Sequence, residues 1–198
     1  MSQLNIYNVL LKKHQKSSYD ATLKAIIGPL INVWIEDYRK ATKSDVAIVE
    51  FEDKGFTFLF DQSEDFSTAF VRGRSKEPRV VVVFGRAINA SEVRNKSRMQ
   101  GFLRGFQKTY PGYDRGHFIA HATGGMLDQN LFPQKSTVNR GQGEEGGRYR
   151  TIERYTASHP DIFMFSRPIY NDPSWIPQKI EIGYLSKDFN FVVEKVSN

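Results

Sequence analysis

The sequence predicts an α+β fold in which a helical N-terminal region precedes a central, mostly antiparallel sheet. Three observations point to it. Leu23, Ile26, Ile27, Leu30, Ile31, Trp34 and Tyr38 recur at helical spacing near the N-terminus. Short runs rich in β-branched and aromatic residues follow, bounded by turn residues. One further helical stretch, Arg148 to Ala157, interrupts the strands late in the chain.

Taken in order, Asp20 can cap a helix through about Thr42 by accepting from free backbone N–H groups. Gly28-Pro29 should kink or divide that helix, because proline lacks a donor and crowds the preceding turn. Strands are expected at Val46 to Phe51, Phe56 to Phe60 and Arg79 to Phe84, with Asp53-Lys54-Gly55 as a hairpin turn. The unbroken apolar run Val80 to Phe84 suits a strand covered on both faces. Ser91 to Lys108 reads as loosely helical or irregular, broken by Gly101 and Gly105. Tyr110-Pro111-Gly112 turns the chain into Asp114, and Gly124-Gly125 supplies a second turn. Gly141 to Gly147 reads as a loop rich in glycine and glutamate. Ile162 to Phe165, Ile180 to Tyr184 and Phe189 to Val193 complete the strands, with Pro168, Pro173 and Pro177 in the connections. The expected division is a helical region over residues 1–45, packed on a main domain over 46–198.

There is no cysteine in the 198 residues, which excludes disulfides, thiolate zinc sites and thiol nucleophiles. The first residues lack the apolar core of a Sec signal, and no run is long enough to span a bilayer. The expected location is therefore cytoplasmic, or wherever delivery as an effector by a non-Sec route takes it. The net charge is +6, and ten basic residues lie between Arg72 and Lys108 against only Glu77 and Glu92. Such a cluster attracts a polyphosphate ligand, with Arg94 and Arg98 in it and Arg140 beyond it as candidate contacts, although a solvated surface has the same composition.

The chemistry-bearing residues concentrate further on. Asp114-Arg115-Gly116-His117 places an acid, an arginine and a histidine within four residues. Asn130, Gln134, Asn139, Arg140 and Glu153 follow. Phosphodiester hydrolysis needs a base near neutral pKa, positive charge at the phosphate, and donors that hold it in line. Histidine supplies the base. Amide and carboxylate oxygens suit a hard cation that keeps most of its water, and arginine grips phosphate through two N–H groups.

The stretch Asp-Arg-Gly-His-Phe-Ile-Ala-His-Ala-Thr-Gly-Gly from Asp114, then Asn-Leu-Phe-Pro-Gln, Val-Asn-Arg-Gly and Tyr-Arg-Thr-Ile-Glu ending at Glu153, resembles the DNA/RNA non-specific endonuclease family. The resemblance spans roughly Arg79 to Leu185, and its variant is similar to nuclease domains of bacterial toxins and effectors. It implies a ββα-metal fold and sequence-non-specific cleavage of DNA and RNA with Mg²⁺ or Mn²⁺. It also implies, for a toxin, a cognate inhibitor or immunity protein. By resemblance His117 would be the general base and Asn139 the protein ligand of the cation. Glu153 would hold a metal-bound water, Asp114 would orient the site, and Asn130 and Gln134 would support it. A transition-state arginine is expected on the preceding strand, where Arg86 has about the right separation; Arg94, Arg98 and Arg115 compete for the role.

The spacing departs from the family at one point. The glutamate commonly follows the metal asparagine by about eight residues, with a tryptophan four before it. Here Glu153 follows Asn139 by fourteen and Tyr149 replaces the tryptophan, so the intervening Gln-Gly-Glu-Glu-Gly-Gly reads as a loop insertion, and Glu144 or Glu145 competes with Glu153. A zinc protease built on His117 and His121 lacks the glutamate after the first histidine and a third ligand. His121 is then a packing or supporting residue. The rival from another class is a catalytically silent nucleic-acid-binding module on the same fold.

Overall fold

Long helices form where apolar side chains line one stripe and a sheet is available to cover it. In a computed structural model, which describes residues 6–42, 46–63, 78–89, 110–172 and 174–198, α1 (Ile6–His14) and α2 (Tyr19–Thr42) meet that condition together. Leu23, Ile26, Leu30, Trp34 and Tyr38 of α2 join Tyr7 and Leu11 of α1 in one buried layer. Ser18, not Asp20, caps α2: its Oγ accepts from the Ala21 N–H at 3.2 Å. Asp20 instead pairs with Arg86 at 2.5 Å. Pro29 does not divide the helix, which runs unbroken from Tyr19 to Thr42. Burial of residues on both sides of the proline outweighs the one backbone bond it removes.

The apolar layer rests on a six-stranded sheet. Its strands are β1 (Ile48–Asp53), β2 (Phe56–Asp61), β3 (Arg79–Arg86), β6 (Phe163–Ile169), β7 (Lys179–Leu185) and β8 (Phe191–Ser197), adjacent in that order. Every neighbouring pair is antiparallel. The fold is thus α+β, as the residue pattern predicts. Lys54 and Gly55 both adopt positive φ, 47° and 84°, which closes the β1–β2 hairpin in two residues. The valine run of β3 is buried on both faces. A bulge against Leu59 and Phe60 leaves Val81 without a partner, so Val81 and Val82 both pack towards the helices while Val80 and Val83 pack on the other side. Pro168 lies within β6, not in a connection, beyond the end of the ladder with β3.

The opposite sheet face carries a second unit: a hairpin of β4 (Tyr113–His117) and β5 (Leu131–Lys135), then α3 (Ser136–Asn139) and α4 (Gly143–Ser158). Phe118, Ile119, Phe132, Val138, Tyr149 and Ile152 seal this ββα unit onto the sheet through Phe56, Phe58, Met164 and Ile182. The rings of Phe118 and Phe132 stack at 4.3 Å. The helices α1 and α2 therefore buttress the sheet from behind while the motif residues occupy the front.

The stretch read as a glycine-glutamate loop is the start of α4, which begins at Gly143. Glu144 and Glu145 in its first turn complement the helix dipole. Gly146 is small because a Cβ there would meet the Thr137 carbonyl of α3 at 2.8 Å. Helix-helix approach, rather than loop freedom, accounts for that glycine. The basic residues Arg72, Arg74 and Lys76, the stretch Ser91 to Lys108 with Arg94 and Arg98, and Pro173 lie outside the described residues. Among the described residues no helix is long and apolar enough to cross a membrane.

Candidate active site

The β4–β5 register pairs Asp114 with Gln134, Gly116 with Phe132 and His117 with Leu131. The connection 118–130 is organised by Asn130, which is fully buried. Its amide donates to the Ile119 and Met126 carbonyls at 2.8 and 2.7 Å, and its Oδ1 accepts from the Ile119 N–H at 2.9 Å. Its own carbonyl accepts from the Phe118 N–H at 2.9 Å. The backbone just after His117 is thereby tied down. Gly124 has φ 91°, and a Cβ on Gly125 would lie 1.8 Å from the Ile119 carbonyl oxygen, so this glycine pair serves the turn.

On the other side of the hairpin, α3 delivers Asn139 beside Asp114. The Asp114 Oδ2 accepts from Asn139 Nδ2 at 3.2 Å and from Arg140 Nε at 2.9 Å, while Oδ1 accepts from Arg140 Nη2 at 3.0 Å. Burial pushes the Asp114 carboxyl up, but the bonds from Arg140, Asn139 and Ser136 outweigh it and hold it below the ordinary carboxylate range. A carboxylate only accepts, so the Asn139 amide must turn its nitrogen to Asp114, leaving Oδ1 on the other branch. Asp114 thus orients an oxygen donor.

The chain then reverses through Gly141 and Gly143, both at φ 68°, into α4. One face of α4 buries Tyr149, Ile152 and Thr156. The Tyr149 hydroxyl donates to the His117 carbonyl at 3.1 Å. Burial, with the charge of Glu153 adding to it, raises the Tyr149 pKa well above the usual tyrosine value, and the Gln134 amide opposes the rise. At neutral pH this hydroxyl keeps its proton and its bond to the backbone of His117.

Between β4 and α4 lies an open cleft of about 630 Å³ lined by Asp114, Arg115, His117, His121, Asn139, Arg150, Glu153 and Arg154. Of the residues expected from the sequence, the cleft brings together Asp114, Arg115, His117, Asn139 and Glu153. Gln134 and Asn130 do not line it; both are buried. Arg140 does not line the cleft; its side chain is 59% exposed and is committed to Asp114. Arg86 does not line it either: it is held by Asp20 and by Asp161 at 2.7 Å, facing the ring of Tyr19. Of the three competing glutamates only Glu153 faces the cleft. Glu144 is exposed, and Glu145 accepts from the Ser197 N–H and hydroxyl, both at 3.1 Å. Arg150 and Arg154 enter unexpectedly. Their signal was their spacing, since Arg150, Glu153, Arg154 and Ala157 form an i, i+3, i+4, i+7 stripe once α4 is known to be a helix.

Asn139 and Glu153 offer an amide and a carboxylate oxygen from two elements facing one space. Among the described residues no group of three His, Cys, Asp or Glu side chains forms a metal cluster. The donor set fits a hard divalent cation held through few protein oxygens.

No protein-family model matches the chain, and no curated protein matches it. Among solved structures the chain is similar to an extracellular endonuclease, with 16% identity over 76% of this chain and 69% of that one and a TM-score of 0.35. It is also similar to the structure of Sda1 nuclease with bound zinc ion, with 16% identity over 81% of each chain and a TM-score of 0.37.

Proposed function

We propose that this cleft hydrolyses phosphodiester bonds of DNA and RNA without reading base sequence, with Mg²⁺ or Mn²⁺ as cofactor. One observation carries the reading: Asp114 and His117 from β4, Asn139 from α3 and Glu153 from α4 converge on a single cleft that arginines also line. Asn139 and Glu153 would hold the cation. When bound it supplies positive charge against the negative charge that builds on the phosphate in the transition state.

The remaining chemistry belongs to the chain. His117 takes a proton from water as the water oxygen bonds to phosphorus and the bond to the leaving oxygen breaks. The Tyr149 hydroxyl binds the His117 carbonyl and the Asn130 carbonyl binds the next N–H, which fixes the backbone that carries this cleft-lining residue. Asp114 keeps the Asn139 amide in its working orientation. The cleft arginines bind the phosphate backbone, which carries no sequence information.

Supercoiled plasmid and single-stranded RNA incubated with the protein test this reading. Cleavage at many positions is expected with Mg²⁺, with loss in EDTA and return when Mg²⁺ is restored in excess. Absence of cleavage with any divalent cation, or cleavage indifferent to EDTA, would contradict it.

A further inference from the structure

We propose that Arg150, seated on the α-carbon of Gly141, is the arginine that grips the scissile phosphate; this rests on the phosphodiesterase reading above. The family resemblance points upstream for such a residue, to Arg86, which ion pairs hold elsewhere. Of the cations that do line the cleft among the described residues, Arg115 comes from β4, and Arg150 and Arg154 come from α4. Arg154 is exposed, whereas Arg150 is partly buried and, among the described residues, makes no hydrogen bond or ion pair.

The seat of Arg150 is specific. A Cβ on Gly141 would lie 2.5 Å from Arg150 Nε, 2.6 Å from Cζ and 2.9 Å from Cδ, so the guanidinium end lies directly over that glycine. Gly141 follows Asn139 by two residues, and Arg150 precedes Glu153 by one helical turn. The guanidinium shares the cleft with the two residues that would hold the cation. Its planar fork can donate two parallel N–H bonds to phosphate oxygens, a geometry an ammonium group does not reproduce. The positive φ of Gly141, 68°, makes glycine doubly required there.

Steady-state cleavage of a short labelled DNA duplex at saturating Mg²⁺ decides the matter, using the full chain and checking each variant by its thermal melt. Arg150→Ala should lower kcat about 10²- to 10³-fold, the scale for removing one preorganised donor to a transition state, with little change in KM. Arg150→Lys should recover little of that loss. Guanidinium ion added to Arg150→Ala should restore part of the rate while methylammonium does not, a response a merely structural role would not give. Gly141→Ala should also lower kcat, and adding Arg150→Ala to it should cost little more, because both changes empty the same seat. If Arg150→Ala melts early, Arg150→Lys and the guanidinium rescue still discriminate. Wild-type cleavage combined with an unimpaired Arg150→Ala or Arg150→Lys would overturn the assignment and leave the nuclease reading standing. Failure of the wild type itself to cleave with any divalent cation would overturn both.

Discussion

His117→Ala should lower the rate of phosphodiester cleavage about 10²- to 10⁴-fold, the range for removing a positioned general base. The expectation follows from how the residue is held. The hairpin pairs it with Leu131, the Tyr149 hydroxyl binds its carbonyl, and Asn130 ties down the two residues that follow. All of these bonds involve backbone atoms of the β4 side, so the alanine variant retains them. The side chain itself is only partly buried against the cleft. The melting temperature should therefore move little while initial rates of plasmid nicking collapse. Wild-type nicking by a folded His117→Ala protein would remove the base from the mechanism.

Gly116→Ala should injure both fold and activity. A Cβ at this position would stand 2.2 Å from Gln134 Oε1 and 2.3 Å from Gln134 Cβ. The first contact could be relieved by rotating the amide, but the second involves an atom fixed to the backbone of β5. The hairpin must therefore spread at the residue next to His117. Overpacking of this kind costs about 1–3 kcal/mol, measurable as a shift in a denaturant melt. Misplacing the base by an ångström or so adds a loss of rate on the order of 10²-fold even in the folded fraction. A Gly116→Ala protein with unchanged stability and turnover would show that the Gln134 side chain does not need this space.

The two predictions rest on parts of the molecule that differ in how far they could be read beforehand. The sheet was legible because its strands carry their own signals: the valine run of β3, the two-residue turn at Lys54-Gly55, the alternating phenylalanines of β2. Within the candidate site, the motif resemblance named Asp114, His117, Asn139 and Glu153, and the fold brings these four to one cleft. What the residues did not show was what depended on contact between separate elements. Gly146 looks like loop composition until α4 is seen crossing α3 at a distance that admits no side chain. Arg86 has a suitable position in the sequence, yet Asp20 and Asp161, far from it in the chain, capture its charge. Arg150 shows nothing by itself; only the course of α4 and the bare surface of Gly141 place it in the cleft. Pro29 marks the same boundary from the other side, since local propensity there yields to burial against the sheet.

In the proposed mechanism Asn139 would hold the cation and His117 would be the base. Single-turnover cleavage measured across a Mg²⁺ titration separates the two. Asn139→Ala should move half-saturation to at least about 10-fold higher Mg²⁺, as expected when a group that holds or orients a metal is lost. His117→Ala should lower the plateau and leave half-saturation where it is in the wild type. An Asn139→Ala protein that titrates with Mg²⁺ like the wild type would contradict the account.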